Sequence, residues 1–189
     1  MFTSRAEFRM LLRQDNADLR LTEISNNIGL ASNDRMSVVL SKKKKTEHMI
    51  SFIKNLSIKP DEINEILIQK GSSPISQSMK LFKLFSRPQL AFSDISTISS
   101  VSNYITENSV QKEIIEQVEI QVKYSGYIDK ESSNAEKLKA LENISIPTNF
   151  DYSRLKCLSS EAKSKLDKVR PVSLSQASRI RGVSPADIS

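Results

Sequence analysis

Glycine is scarce in this sequence. Only four occur in 189 residues, Gly29, Gly71, Gly126 and Gly182, and each stands alone. A phosphate-binding loop needs glycines in close succession, so that backbone N–H groups can approach the phosphates. Neither G-x-G-x-x-G nor a P-loop is present, so no nucleotide cradle is legible. Cysteine and histidine are scarcer still, with Cys157 and His48 the sole representatives. One cysteine excludes a disulfide framework within the chain and any cysteine-based metal site. One histidine excludes H-E-x-x-H and every two-histidine ligand set. A Ser-His-Asp relay would have to use His48, which follows a run of lysines and is set aside. Cys157 reads as a small half-buried apolar residue. No apolar run approaches the ~20 residues that span a bilayer, and no signal-peptide pattern opens the chain. These absences point to the cytoplasm and leave no catalytic, cofactor-binding or metal-ligating set.

What the sequence does have is positive charge and helical periodicity. The net charge of +6 and pI near 9.4 favour anionic partners, nucleic acid or acidic protein. At the start, Ser4 and Glu7 stand in the Ser-x-x-Glu relation of a capping box. Arg5, Arg9 and Arg13 follow at i, i+4 and i+8, which a helix would stack on one face opposite Phe8, Leu11 and Leu12. Arginine grips phosphate with a planar fork, so this stripe is a candidate for an anionic partner. Two plainer readings stand beside it: a solvated helix face, or Arg5 or Arg13 pairing with Asp15 or Asp18.

The same periodicity predicts helices almost throughout. Thr22 to Ile28 reads as a short helix closed by Gly29. Ser32 caps a longer one with Met36, Val39, Leu40, Ile50 and Ile53 facing inward. Lys42 to Lys45 lie within it and, at about 100° per residue, wrap around the helix as a solvated segment. Pro60 starts a helix through Gln69, Ser76 to Phe85 forms another, and Ser93 to Thr106 carries short ones. Ser109 begins the longest helix, running through Gly126 toward Pro147. In the tail, Ser159 or Ser160 caps a helix ending near Val169, Ser173 caps the next to about Arg179, and Ser184-Pro185 opens a third. That last helix is expected to be cut short at Ser189. The fold class is therefore all-α, a multi-helix bundle followed by a compact small-helix subdomain.

"SQASRIRGVSPADIS" has the outline of a helix-turn-helix with Gly182-Val183-Ser184 as its turn. Ala177 precedes Gly182 by five residues where that motif has four, and compact packing of three helices explains the pattern equally. A DNA-binding regulator and a purely structural interaction domain are thus the alternatives. Arg179 and Arg181 beside this turn are the second candidate surface, against a reading as solubilising charges.

Three blocks carry a resemblance: "MFTSRAEFRMLLRQDNADLRLTE", "EQVEIQVKYSGYI" and "IPTNFDYSRLKCLSSEAKSKLDKVRPVSLSQASRIRGVSPADIS". In that order they resemble the carboxy-terminal part of the MnmG (GidA) family, flavin-dependent enzymes that modify the wobble uridine of tRNA. "SRPQLAFSDI" adds to the likeness, and the rest of Ser32 to Ser109 adds little. The resemblance implies FAD and NADH in domains ahead of this region, and redox cysteines there that Cys157 does not match. It implies a reaction adding an aminomethyl or carboxymethylaminomethyl group at carbon 5 of the uridine, with a folate one-carbon donor. It also implies tRNA and the GTPase MnmE as partners and a full-length homodimer. On that footing residues 1–21 are the edge of the preceding flavin domain with a linking helix, 22–147 a helical domain and 148–189 a small helical subdomain. The fragment alone is expected to bind no FAD and to catalyse nothing. Arg5 and Arg9 fall in the family's "TSRAEYR" motif, where Phe8 replaces its tyrosine. Arg5, Arg9 and Arg13 become candidate tRNA contacts, and Arg179 and Arg181 candidate contacts to the GTPase or tRNA.

Overall fold

The protein is seen in a computed structural model that describes residues 8–188. The capping box expected at Ser4 and Glu7, and Arg5 with it, lie outside the described residues. Among those residues, eleven α-helices, one 3-10 turn and a two-residue antiparallel ladder are the regular structure. This is the all-α architecture that the periodicity predicts. The chain divides into two compact units, one reaching Asp129 and the other beginning at Lys130.

In the first unit, the helix expected around Arg9 and Arg13 does not form. Phe8 has a positive φ of 55°, and its carbonyl accepts from the N–H groups of Leu11 and Leu12 in a tight turn. Helix α1 (Ala17–Asn27) starts only beyond it. Its end follows the glycine rule: Gly29, at φ 79°, lets the Leu30 N–H reach the Ser25 carbonyl at 2.8 Å while its own N–H reaches Asn26 at 2.9 Å. Leu21 and Ile24 on α1 and Ile28 at its C-cap, spaced for one helix face, are exposed.

Ser32 caps α2 (Asn33–Asn55), its hydroxyl accepting from the Arg35 N–H at 3.2 Å. The buried face of α2 runs through Val39, Thr46, Met49 and Ile53. Leu40, expected inside, is one 100° step away from that stripe and is exposed. Strand β1 (Ser57–Ile58) pairs with β2 (Met79–Lys80) around α3 (Pro60–Gln69). The helix expected from Ser76 shrinks to α4 (Leu81–Phe85). The Asn64 amide holds both backbone groups of Ile75, at 2.8 and 2.9 Å, and β2 then pairs with β1, so this stretch is pinned away from helical geometry.

Short helices α5 (Phe92–Ile95) and α6 (Ser99–Glu107) follow, as the serine-rich stretch predicts. Ser109 ends a helix instead of starting one. At φ 46° it closes α6, with the Val110 N–H on the Ile105 carbonyl at 3.0 Å, and α7 (Lys112–Lys123) begins three residues later. Tyr124, at φ −103° and ψ 9°, separates α7 from α8 (Ser125–Glu142), so the single long helix is two. The core of this unit gathers Met49, Ile53, Ile58, Leu84, Phe85 and Val118, all fully buried. Each contributes about 1.5–3 kcal/mol of hydrophobic burial.

The second unit holds the 3-10 turn Tyr152–Arg154, α9 (Ser160–Val169), α10 (Leu174–Ser178) and α11 (Pro185–Ile188). The expected serine caps are in place: Ser159 accepts from the Ala162 N–H at 3.1 Å and Ser173 from the Gln176 N–H at 3.3 Å. Its core is small, Tyr152, Leu158, Leu166 and Ala177 flanked by Leu155, Ile180 and Val183.

Candidate functional site

The arginines singled out in the sequence separate into two kinds. Arg13 is turned inward. Its Nε and Nη2 each donate to a different oxygen of Asp15 at 3.0 Å, and Nη1 donates to the Met10 carbonyl. Gln117 on α7 donates to the Asp15 carbonyl at 2.9 Å and to its carboxylate at 3.2 Å, which ties the opening turn to the helical core. Burial pushes the Asp15 carboxyl up, but the hydrogen bonds from Arg13 and Gln117 and the Arg13 charge outweigh it, so the group titrates below its ordinary range. Arg13 therefore takes the pairing with Asp15 that the sequence offered as a plainer alternative. Arg9, four residues earlier, is exposed and has no partner among the described residues.

A cation that the sequence reading did not single out sits nearby. Lys42 on α2 reaches Asp18 on α1 at 2.7 Å and also Glu113 on α7, and its side chain is only 10% exposed. Burial lowers its pKa, yet the bonds to the two carboxylates outweigh that and raise it above the ordinary lysine value. Lys43, Lys44 and Lys45 are exposed, as a solvated run should be. The signal was in the register: positions 39, 42, 46, 49 and 53 form one stripe, and Lys42 lies on it.

In the second unit Arg179 and Arg181 flank one turn. Arg179 Nη2 lies 3.3 Å from Glu142 Oε1, with both side chains about half exposed, so the pair is worth little. Arg181 is exposed with no partner among the described residues. The turn itself is tightly determined. Gly182 has φ 96°, and a Cβ there would fall 2.5 Å from Glu161 Oε1. Asp187 accepts from the Ser184 N–H at 2.8 Å, the Ser184 hydroxyl at 2.6 Å and the Ser159 N–H at 3.0 Å. The Ser184 hydroxyl above all, with these two N–H groups, holds the Asp187 carboxyl below its usual range.

His48 is exposed, and Cys157, which the sequence reads as half-buried, is exposed as well. Among the described residues no three His, Cys, Asp or Glu side chains could hold a metal ion, and no helix is long and apolar enough to cross a membrane. The described residues also do not fit a dinucleotide. Gly29, Gly71 and Gly126 have open space where a Cβ would go, and Gly182 faces the Glu161 carboxylate, which repels phosphate. The strands are two residues long, so no strand–turn–helix cradle is built.

Comparison with known proteins agrees along nearly the whole length. Residues 33–132 match the profile of the tRNA modifying enzyme MnmG/GidA C-terminal helical domain, and 134–189 that of the MnmG/GidA C-terminal helical bundle. The tRNA uridine 5-carboxymethylaminomethyl modification enzyme MnmG of Christiangramia forsetii is 57% identical over 189 residues, all of this chain and 30% of that protein. Its counterpart in Cytophaga hutchinsonii is 49% identical over the same share of each. The form I crystal structure of Aquifex aeolicus GidA aligns with 99% of this chain and 27% of its own, with 31% identity and a TM-score of 0.59. The chain thus spans about 30% of the length of the curated relatives it matches.

Proposed function

The chain belongs to the MnmG/GidA family as its C-terminal helical part, and from that premise we propose that it is the region that supports tRNA and docks a partner protein. In this reading the enzyme adds a 5-carboxymethylaminomethyl group at the wobble uridine of cytoplasmic tRNA. Its FAD, its NADH and its catalytic residues lie in the length of protein that the relatives carry and this chain does not. Residues 1–21 are the edge of the flavin domain with a linking helix. The chain itself binds tRNA near the anticodon without catalysing.

One observation carries the reading. In a chain whose matching profiles both describe a tRNA modifying enzyme, Arg9 and Arg181 are exposed and carry no carboxylate at contact distance among the described residues. A guanidinium left free in this way is available to phosphate oxygens. Arg5 and Arg9 are the RNA contacts of the opening segment, and Arg13 is the residue that fixes its turn. Fluorescence anisotropy with a labelled substrate tRNA and a duplex DNA, over a salt series, tests this. Tighter binding to tRNA, with the salt slope reduced by about one in Arg9→Ala, is the expected result. Equal affinity for the DNA, or an unchanged slope, counts against it.

The exposed apolar face of α1 favours a second role. Leu21, Ile24 and Ile28 are large, adjacent and uncovered, as expected of a surface that another protein covers. The GTPase MnmE is the partner this reading assigns. Leu21→Ser with Ile24→Ser should weaken GTPase capture and leave tRNA binding unchanged; unchanged capture removes α1 as the docking face.

A further inference from the structure

The second unit contains an internal repeat. Ser153-Arg154-Leu155-Lys156-Cys157-Leu158-Ser159-Ser160 and Ser178-Arg179-Ile180-Arg181-Gly182-Val183-Ser184-Pro185 align at an offset of 25 residues. Ser153/Ser178, Arg154/Arg179 and Ser159/Ser184 are identical, and Leu155/Ile180, Lys156/Arg181 and Leu158/Val183 preserve chemistry. The structure repeats with the sequence. Each copy leaves a short helical segment, the 3-10 turn Tyr152–Arg154 or α10, and crosses a turn. Each then enters a helix whose first residue is Ser160 or Pro185.

The matched positions have matched environments. Leu155, Leu158, Ile180 and Val183 all pack into the one small core. Arg154, Lys156, Arg179 and Arg181 are all exposed. Each turn therefore anchors an aliphatic side chain in the core and holds one cation on either side of it. The two turns are neighbours, because Asp187 of the second accepts from the Ser159 N–H of the first at 3.0 Å and Gly182 abuts Glu161.

Of these four cations only Arg179 meets a carboxylate within ion-pair distance among the described residues, although the Asp151 charge acts on Arg154 from further away. Asp187 is engaged by Ser159 and Ser184, and Asp151 accepts from the Ser153 N–H and hydroxyl. Glu142 meets Arg179 only at the surface, and Glu161 is the one left beside Gly182. Lys156 and Arg181, the second cation of each copy, have no hydrogen-bond or ion-pair partner among the described residues.

We propose that the two hairpins form one duplicated surface for the sugar–phosphate backbone of a folded RNA, each contributing an equivalent basic pair. Two exposed basic pairs at matched positions of neighbouring turns suit a polymer whose anionic groups recur at regular intervals. An acidic protein surface has no such recurrence. This inference rests on the reading above that the chain supports tRNA. It adds Arg154 and Lys156, and it explains the helix-turn-helix outline of the tail as the second copy of a repeat.

The test is the salt dependence of tRNA binding by the 189-residue chain. One variant carries Arg154→Gln, Lys156→Gln, Arg179→Gln and Arg181→Gln. A control of equal net charge carries Lys43→Gln, Lys44→Gln, Lys45→Gln and Lys83→Gln, all exposed in the first unit. At about 0.7–0.9 per lost phosphate contact, the slope of log K against log salt should fall by roughly three in the hairpin variant. The control should lose less than one. The two half-variants, Arg154→Gln with Lys156→Gln and Arg179→Gln with Arg181→Gln, should lose equal amounts, and they carry the test alone if the fourfold variant unfolds. Equal slopes in hairpin variant and control, or a loss confined to one half, overturn the duplicated surface while leaving tRNA binding standing. A wild-type chain that ignores tRNA but binds an acidic protein overturns both.

Discussion

The two units use charge in opposite ways. In the unit that reaches Asp129, important cations are turned inward. Arg13 forks onto Asp15, Lys42 joins Asp18 and Glu113, and Lys123 donates to the carbonyls of Arg87 and Leu90. The Lys42 and Lys123 bonds tie segments distant in sequence around an extensive apolar core. The unit from Lys130 has a much smaller core. It carries eleven Lys and Arg against seven Asp and Glu, whereas residues 1–129 carry seventeen against fifteen. The excess positive charge is thus concentrated in the smaller unit, at exposed positions around its turns. Charge links elements around the apolar core of the first unit; in the second, Arg170 bonds to the Phe150 carbonyl and Asp167, while Arg154, Lys156 and Arg181 are presented outward.

Breaking the first unit should be easiest at its core. Phe85→Ala, at a fully buried ring packed edge-on against Phe92, is expected to cost about 3–5 kcal/mol in urea denaturation. Loss under 1 kcal/mol would mean that this core is not where the unit's stability resides. Lys42→Ala comes next, at about 1–2 kcal/mol, because it leaves Asp18 and Glu113 without their cation while solvent screens the more exposed carboxylate. The same change at Lys44, which is exposed, should move stability by less than about 0.5 kcal/mol. Equal effects at both sites would erase the distinction between inward and outward cations.

The turns of the second unit give a sharper probe. Gly182→Ala places a Cβ at a positive φ and against Glu161, and about 1–2 kcal/mol is expected in thermal denaturation. Adding Glu161→Ala should recover only the contact with the side chain, since the backbone conformation is unchanged. Full recovery would locate the whole cost in that contact.

The smallest effect is in acid. The folded-state pKa of Asp15 is depressed, as is that of Asp94, where burial opposes but the Ala91 N–H and Lys70 prevail. A depressed carboxyl contributes stability that is present above its unfolded pKa, about 3.9, and is lost as pH falls through the folded value. Wild-type stability should therefore decline below about pH 4, and the decline should be shallower in Asp15→Asn. Parallel acid curves for the two proteins would contradict the inward role of the Arg13–Asp15 pair.

Much of this was legible in the sequence where local chemistry decides the structure. Ser32, Ser159 and Ser173 cap helices because a hydroxyl there meets orphaned N–H groups, and Gly29 stops α1 because a left-handed residue is needed. What failed depended on distant partners. The arginine stripe required a helix through residues 8–13, but Phe8 adopts a positive φ and Gln117, far along the chain, binds the turn through Asp15. Asn64 holds Ile75 out of a helix from a separate element. Ser109 takes the left-handed position usually given to glycine, so residue type alone misdirects its reading. Lys42 was hidden among identical neighbours, and only its register with Val39 and Thr46 distinguishes it.

Ultraviolet cross-linking of the chain to a substrate tRNA, with the linked peptides mapped by mass spectrometry, tests the central contrast most directly. The account predicts cross-links at Arg154 to Lys156, at Arg179 to Arg181 and near Arg9, with none at Lys43 to Lys45. Cross-links concentrated on that lysine run, and absent from the two turns, would contradict it.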